Sequence, residues 1–179
     1  MDSGPIDLAA LAHRLVEQGV PPDRPVTLTA HTTAPAYVHG SPSDHERLLR
    51  NLIDNAARHA TSRVRITVRN QLEHVKLSVH DDGPGIPVEE SERIFERFVR
   101  LDEARTRGNG GTGLGLPIAR ELAHRQRGSL VLVPSDLGAC FQLRIPRATP
   151  GRPDASTLRG DRPDRAITAD RSVQNGPAR

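Results

Sequence analysis

Residues 81–87, with the sequence Asp-Asp-Gly-Pro-Gly-Ile-Pro, constrain the fold of this chain more than any other segment. Val75, Leu77 and Val79 alternate with polar residues just before it, so two carboxylates lie at the end of a strand with one buried face. The glycines allow positive φ or a close approach to backbone, and the proline stiffens the turn. A small planar ligand can lie against such bare backbone while one carboxylate accepts its hydrogen bonds. The alternative is an ordinary surface turn, so the interpretation depends on the rest of the chain.

The net charge of the chain is concentrated at its C-terminal end. Residues 147–179 contain seven Arg and four Asp, an excess of +3 that equals the net charge of all 179 residues. Residues 1–146 are therefore close to neutral, and one Tyr, three Phe and no Trp leave little to stack on bases. We expect one domain over residues 1–146, a disordered Arg-, Asp- and Pro-rich tail over residues 147–179, and no nucleic-acid partner.

The sequence gives no sign of export or of membrane insertion. No apolar run approaches the ~20 residues that span a bilayer, and no charged and then apolar signal segment opens the chain. The single cysteine, Cys140, cannot form an internal disulfide. These features predict no membrane segment and a cytoplasmic location.

The first part of the chain predicts a helix followed by two strands. Apolar residues recur at helical spacing over residues 6–16, with Asp7 near the start and Gly19 just past the end. Residues 26–30 then alternate as a strand would, and a weaker strand signal follows at residues 36–38.

A second helix is predicted from Ser43 to about Ala60. Ser43 as N-cap and Glu46 three residues later have the spacing of a capping box. Its buried stripe is predicted to consist of Leu48, Leu49, Leu52, Ile53 and Ala56.

Two asparagines lie beside that stripe. Asn51 and Asn55 are four residues apart and therefore on one side of the helix, with Arg58 and His59 within a turn. Asn is a poor helix former, so the pair needs a reason. Amide oxygens can ligate Mg²⁺, and an arginine can reach a phosphate oxygen. On this helix alone, a structural role for the asparagines is an equally good explanation.

The middle of the chain predicts a hairpin and a short helix. Strands at residues 64–68 and 75–79 are joined by a short turn, and the second strand leads into the Asp-Gly turn. Residues 89–98 predict a short helix that holds Ile94, Phe95 and Phe98, either as a local apolar anchor or, more simply, as the buried face of an ordinary core helix. A last pair of strands is expected over residues 130–133 and 140–145.

A glycine-rich segment at residues 108–117 reads Gly-Asn-Gly-Gly-Thr-Gly-Leu-Gly-Leu-Pro. Such a loop suits a mobile lid that orders over a ligand, although a flexible linker has the same composition. A helix is predicted from Leu114, and its N-terminal N–H groups suit a phosphate. No strand precedes the glycines and no Gly-Lys-Ser/Thr follows them, which excludes the dinucleotide fingerprint and the Walker loop.

Four of these segments together resemble, in order and spacing, the N, G1, F and G2 boxes of sensor histidine kinases. They are residues 51–56, 81–85, 94–98 and 111–116. The resemblance extends over roughly residues 6–146. It implies the catalytic ATP-binding domain of that family, an α/β two-layer sandwich of the Bergerat type shared with DNA gyrase and mismatch-repair ATPases. Its mixed, mostly antiparallel sheet is expected to be covered by helices on one face.

The resemblance also implies a role for individual residues, with ATP and Mg²⁺ as cofactors. Asn55 would be the Mg²⁺ ligand, Asn51, Arg58 and His59 would face the phosphates, and Asp81 would accept the adenine amino group. The other ATP-binding positions would be Gly83, Gly85, Ile86, Phe98, Gly111, Thr112, Gly113, Leu114, Gly115 and Leu116. Ala139 replaces a threonine that is typical of the family near the adenine carboxylate, which is expected to lower affinity.

The residue type four positions before the metal-binding asparagine distinguishes the branches of the family. Hydrolytic members and anti-sigma-factor serine kinases typically carry Glu there, whereas this chain has Asn51, which cannot act as a base. The resemblance therefore implies the histidine-kinase branch with slow free hydrolysis of ATP. The γ-phosphoryl group would pass to a His on a dimerisation hairpin that is absent from this chain, with a response regulator downstream. The alternatives are a nucleotide-gated partner-binding module without transfer and an anti-sigma-factor serine kinase.

Overall fold

The computed structural model describes residues 4–20, 26–99 and 113–148. Its helices are α1 (Leu8–Gln18), α2 (Pro42–His59) and α3 (Gly115–Arg125). Its strands are β1 (Ile6–Asp7), β2 (Thr27–Thr32), β3 (Tyr37–Val38), β4 (Arg63–Asn70), β5 (His74–Asp81), β6 (Ser129–Val133) and β7 (Cys140–Pro146). Two single 3₁₀ turns lie at Val88–Glu90 and Arg93–Phe95. Within these ranges, every helix is too short or too polar to cross a bilayer.

Five strands form one mixed sheet in the order β2-β4-β5-β7-β6. β2 runs parallel to β4, whereas the β4–β5, β5–β7 and β6–β7 pairs are antiparallel. A separate two-stranded sheet pairs β1 with β3. The mixed, mostly antiparallel sheet with helices on one face confirms the fold class expected from the sequence.

Period-two alternation in the strands builds the core between the sheet and the helices. In β4 and β5 every second side chain is buried, as in Val64, Ile66 and Leu77. The predicted stripe of α2 faces them, and Leu48 and Leu52 are fully buried. Each such aliphatic side chain contributes about 2 kcal/mol by leaving water. α1 packs on β2 and β4, and α3 packs on α2 and β6, so all three helices lie on this side of the sheet.

The start of α2 differs from the prediction. The helix begins at Pro42 with Ser41 as its N-cap, so the capping box from Ser43 is wrong. Proline favours the first helical position because its φ is already helical and its missing N–H needs no partner there. The Ser41 and Ser43 hydroxyls instead lie 2.8 Å apart in a hydrogen bond with each other.

The segment around residues 89–98 is not a helix but two separate 3₁₀ turns. Ile94 and Phe95 are buried as expected, whereas Phe98 is 73% exposed with φ of +66°. The apolar anchor therefore consists of two of the three predicted residues. Phe95 contacts Phe141 edge-to-face at 6.2 Å between ring centroids, which fixes the turn to the sheet.

The described parts of the two chain ends meet at the small sheet. Ile6, expected in the first helix, pairs with Val38 as part of β1, and α1 begins only after Asp7 has capped it by accepting from the Ala9 N–H at 2.9 Å. At the other end, the Ala148 N–H donates to the Tyr37 carbonyl at 2.8 Å. Most of the predicted tail, residues 149–179, lies outside the described residues.

Candidate functional site

Asp81, the last residue of β5, is a buried carboxylate with only one of its oxygens in use. The residue is 2% exposed. Its Oδ1 accepts from the Gly83 N–H at 2.9 Å and from the Ala139 N–H at 3.2 Å. Its Oδ2 is also buried and has no hydrogen-bond partner among the residues that the structure describes. An unsatisfied buried carboxylate oxygen is costly, so the arrangement fits a ligand that brings an N–H donor.

Close backbone approach holds this carboxylate in place. The Asp81 N–H donates to the Ala139 carbonyl at 3.0 Å, which brings the start of β7 beside the end of β5. A Cβ at Gly138, which has φ of +68°, would collide with the Asp81 carbonyl, and one at Gly83 would collide with the His59 carbonyl. Glycine is therefore needed on both sides of the carboxylate.

Asp82, the second carboxylate of the turn, has a structural role. Its Oδ1 accepts from the backbone N–H groups of Thr61, Ser62 and Arg63, each at 2.9 Å, and its Oδ2 accepts from the Ser62 hydroxyl at 2.6 Å. These hydrogen bonds, led by that from the Ser62 hydroxyl, hold the pKa of Asp82 well below its usual range. Asp82 thus ties the turn to the chain that follows α2 and leaves Asp81 for a ligand.

The asparagines of α2 lie at the margin of its buried stripe, as the spacing predicts. Asn51 and Asn55 are half-buried, whereas Arg58 and His59 are exposed at the end of the helix. The Asn51 Nδ2 is buried, and no described residue forms a hydrogen bond with it. A Cβ added at Gly115 would lie 4.0 Å from the Asn51 Oδ1, so the asparagine side of α2 meets the first turn of α3.

Among the described residues, no side chain caps the N-terminus of α3, which suits an anion. Leu114 is its N-cap and makes no side-chain capping bond, and the first turn contains no acidic residue. Just before it, the Gly113 carbonyl accepts from the Phe98 N–H at 3.2 Å, which joins the predicted F and G2 segments. Ile86 and Leu116 pack partly against the core. Gly111 and Thr112 lie outside the described residues.

Arg120 links α3 to the turn that carries Phe95. Its guanidinium lies 4.7 Å from the centroid of the Phe95 ring and 2.9 Å from a carboxylate oxygen of Glu92. The cation–π contact and the ion pair together hold the F segment beside α3.

The structure therefore brings the predicted segments together in pairs. The end of α2 meets the turn at residues 81–85, the middle of α2 meets the start of α3, and the F segment meets Gly113. Sequence reasoning missed Asp82 as the anchor of the turn and missed Gly138, whose role depends on the pairing of β5 with β7. Ala139 contributes its backbone N–H to Asp81, a contact that the absence of a hydroxyl does not affect.

Comparison with known proteins agrees with this arrangement. The sequence model of the family described as histidine kinase-, DNA gyrase B- and HSP90-like ATPase matches residues 40–149. The chain is 38% identical over 104 residues to the sensor histidine kinase CpxA of Escherichia coli strain K12, which covers 58% of this chain and 23% of CpxA. It therefore spans about a quarter of the length of that relative.

Solved structures of other proteins show the same fold. The mycobacterial sensor histidine kinase MprB superposes with a TM-score of 0.70 and 27% identity, covering 82% of this chain and 98% of that structure. Full-length ShkA in complex with AMPPNP superposes with a TM-score of 0.71 and 26% identity, covering 89% of this chain and 34% of ShkA.

Proposed function

Because the chain belongs to the histidine kinase-, DNA gyrase B- and HSP90-like ATPase family and is homologous to sensor histidine kinases, we propose that it binds MgATP and transfers the γ-phosphoryl group to a protein histidine. The unpartnered Oδ2 of buried Asp81 is the observation that carries this proposal. Adenine presents an amino donor where guanine presents a carbonyl oxygen, so a carboxylate acceptor at this point selects ATP. The selectivity is on the scale of one charged hydrogen bond, about 1.5 to 3 kcal/mol.

The phosphates are assigned to the place where the asparagine side of α2 meets the first turn of α3. The open first turn of α3 supplies backbone N–H groups, and exposed Arg58 and His59 supply polar groups from the end of α2. Gly83, Gly85, Ile86 and Phe98 are proposed to contribute backbone or apolar contact to the nucleotide. The segment from Gly111 to Leu116 is proposed to hinge a lid and hold the phosphates.

Asn55 is proposed to hold Mg²⁺ through its amide oxygen. In the described residues, no group of three or more His, Cys, Asp or Glu side chains is arranged to hold a metal. A half-buried asparagine beside a phosphate site suits Mg²⁺, which takes oxygen ligands and shares them with phosphates and water. The ion, when bound, neutralises charge on the phosphoryl oxygens.

The acceptor is proposed to supply the nucleophile itself. Asn51, beside Gly115, has no basic group with which to activate water or a hydroxyl. An imidazole needs no such activation, because its neutral nitrogen carries a lone pair. We assign the acceptor His to a dimerisation hairpin, supplied in trans or by a longer polypeptide, with a response regulator taking the phosphoryl group afterwards. The reaction is proposed to be cytoplasmic, where MgATP is available.

The test mixes the protein with γ-labelled ATP, Mg²⁺ and separately expressed histidine-kinase hairpins. Acid-labile label on a hairpin histidine is the expected result, and it should depend on Mg²⁺ and be lost in Asn55→Ala. A matched control is Asp54→Ala, which alters an exposed neighbour on the same helix. Acid-stable phosphoserine on another protein would indicate an anti-sigma-type kinase instead. ATP-dependent capture of a partner without label transfer would indicate a nucleotide-gated binding module.

A further inference from the structure

The face of the sheet that points away from the helices carries only neutral and basic side chains. We call this the open face and define it by the outward positions of the five strands. They are Thr27, Thr29, His31, Arg63, Arg65, Thr67, Arg69, His74, Lys76, Ser78, His80, Ser129, Val131, Val133, Cys140, Gln142, Arg144 and Pro146. No Asp or Glu is among them, although the domain as a whole is close to neutral.

Three cations on the open face lie directly opposite one another. Arg69 is paired in register with Lys76, and Lys76 is paired with Arg144 on the next strand. Like charges at directly opposed positions destabilise a sheet. None of the three, nor nearby Arg65, forms an ion pair with another described residue. Within the described residues, this row of like charges therefore has no paired countercharge, and an external anion would relieve its repulsion.

The composition of the open face indicates what kind of anion fits it. Protein interfaces take most of their binding energy from large aromatic and other apolar anchors, and this face has no Phe, Tyr or Trp and only Val131, Val133 and Pro146 as apolar residues without a polar group. Base recognition in nucleic acid uses elements that enter a groove or aromatic side chains that stack on bases, and a sheet face without Phe, Tyr or Trp offers neither. A plane of anionic headgroups requires only clustered cations. We propose that the open face docks on an anionic lipid bilayer.

Two further observations agree with this geometry. The chain leaves β7 two positions after Arg144 and continues into residues 147–179, whose excess of +3 has the same sign as the open face. The Asp81 site lies on the helix side of the sheet, since the Asp81 side chain is buried and its neighbours on β5 at alternate positions point outward. Docking through the open face therefore leaves the nucleotide site accessible.

The experiment is co-sedimentation of the full chain with vesicles of phosphatidylcholine alone or with about one third phosphatidylglycerol, at about 0.15 M salt. Binding to the anionic vesicles alone is expected. The variant Arg69→Gln/Lys76→Gln/Arg144→Gln should bind about a hundredfold more weakly, since each cation near an anionic surface contributes about fivefold. The single variant Lys76→Gln should bind about fivefold more weakly.

The matched control is Arg14→Gln/Arg47→Gln/Arg125→Gln, which removes the same charge from exposed positions on the helices. It should retain most of the binding, and equal losses in both triple variants would overturn the proposal in favour of a net-charge effect. The open-face variants should melt at the same or a higher temperature than the wild type, because repulsion is relieved. Binding to duplex DNA without binding to anionic vesicles, or no binding at all, would also overturn it.

Discussion

Replacing Asp81 by Asn tests base recognition with a single change of atom. The Asn Oδ1 can keep both hydrogen bonds that the carboxylate now accepts, from Gly83 at 2.9 Å and Ala139 at 3.2 Å. The NH₂ group then stands where the unpartnered Oδ2 stands now, and it faces the adenine amino group donor to donor. The loss of one charged hydrogen bond and the cost of unpaired donors together amount to about 2 to 4 kcal/mol. Affinity for MgATP should fall by about thirtyfold to a thousandfold.

Calorimetric titration with MgATP and with MgGTP measures this effect. The wild type should prefer MgATP, and Asp81→Asn should narrow or reverse that preference because its NH₂ group can donate to the guanine carbonyl. Its melting temperature should not fall, since a buried charge is removed and the backbone hydrogen bonds remain. Asp82→Asn is the matched control, because it changes the adjacent carboxylate that binds only backbone and side-chain groups of residues 61–63.

A folded Asp81→Asn protein that binds MgATP as tightly as the wild type would refute the reasoning, because the Oδ2 would then not contact the base. A loss of selectivity in Asp82→Asn, with Asp81→Asn unaffected, would move base recognition to the second carboxylate.

Four further predictions concern stability and turnover. Chemical denaturation of Asp82→Asn should show a lower free energy of unfolding than the wild type at neutral pH. The pKa of Asp82 is depressed in the folded state, so its carboxylate stabilises the wild type above the ordinary pKa of 3.8 and loses this contribution as the pH falls. The free energy of unfolding of the variant should therefore decline less than that of the wild type below about pH 4. In urea titrations Gly138→Ala should lower the free energy of unfolding by about 3 kcal/mol or more, and Gly19→Ala should lower it by about 1 kcal/mol. Both glycines have φ near +70°, but only a Cβ at Gly138 would collide with backbone. Arg120→Gln should cost about 1 kcal/mol in the same assay through the lost cation–π contact, and an unchanged midpoint would show that this contact contributes nothing. Free ATP hydrolysis by the wild type should be very slow because Asn51 is not a base, and Mg²⁺-dependent release of phosphate at many turnovers per minute would contradict the histidine-kinase assignment.

The sequence predicted those elements whose hydrophobic period is strong and local. The alternation in β4, β5 and β7 and the 3.6-residue stripe of α2 follow directly from which side chains need burial. The helix predicted over residues 89–98 was wrong because its buried residues, Ile94 and Phe95, are adjacent in the chain and lie on a single 3₁₀ turn. The predicted N-cap of α2, Ser43, was wrong because Pro42 occupies the first helical position and makes Ser41 the N-cap.

The sequence predicted the segments of the candidate site, but not the separate roles of the residues within them. Asp81 and Asp82 are equivalent in the sequence, and only the pairing of β5 with β4 and β7 gives one a free oxygen and the other four hydrogen bonds. Gly138 is far from Asp81 in the chain, so no local pattern could reveal that its missing Cβ makes room for the Asp81 carbonyl.

The hydrogen bond from the Phe98 N–H to the Gly113 carbonyl has a consequence for how the chain can vary. It fastens the two ends of residues 99–112 to each other at a donor–acceptor distance of 3.2 Å. The entropic cost of closing a loop grows only with the logarithm of its length, so doubling the length of this one costs about 0.6 kcal/mol. Insertions or replacements between these ends are thus expected to leave the sheet and α2 intact. Natural or engineered variation in the length of this segment is therefore expected to cost the supporting domain little stability.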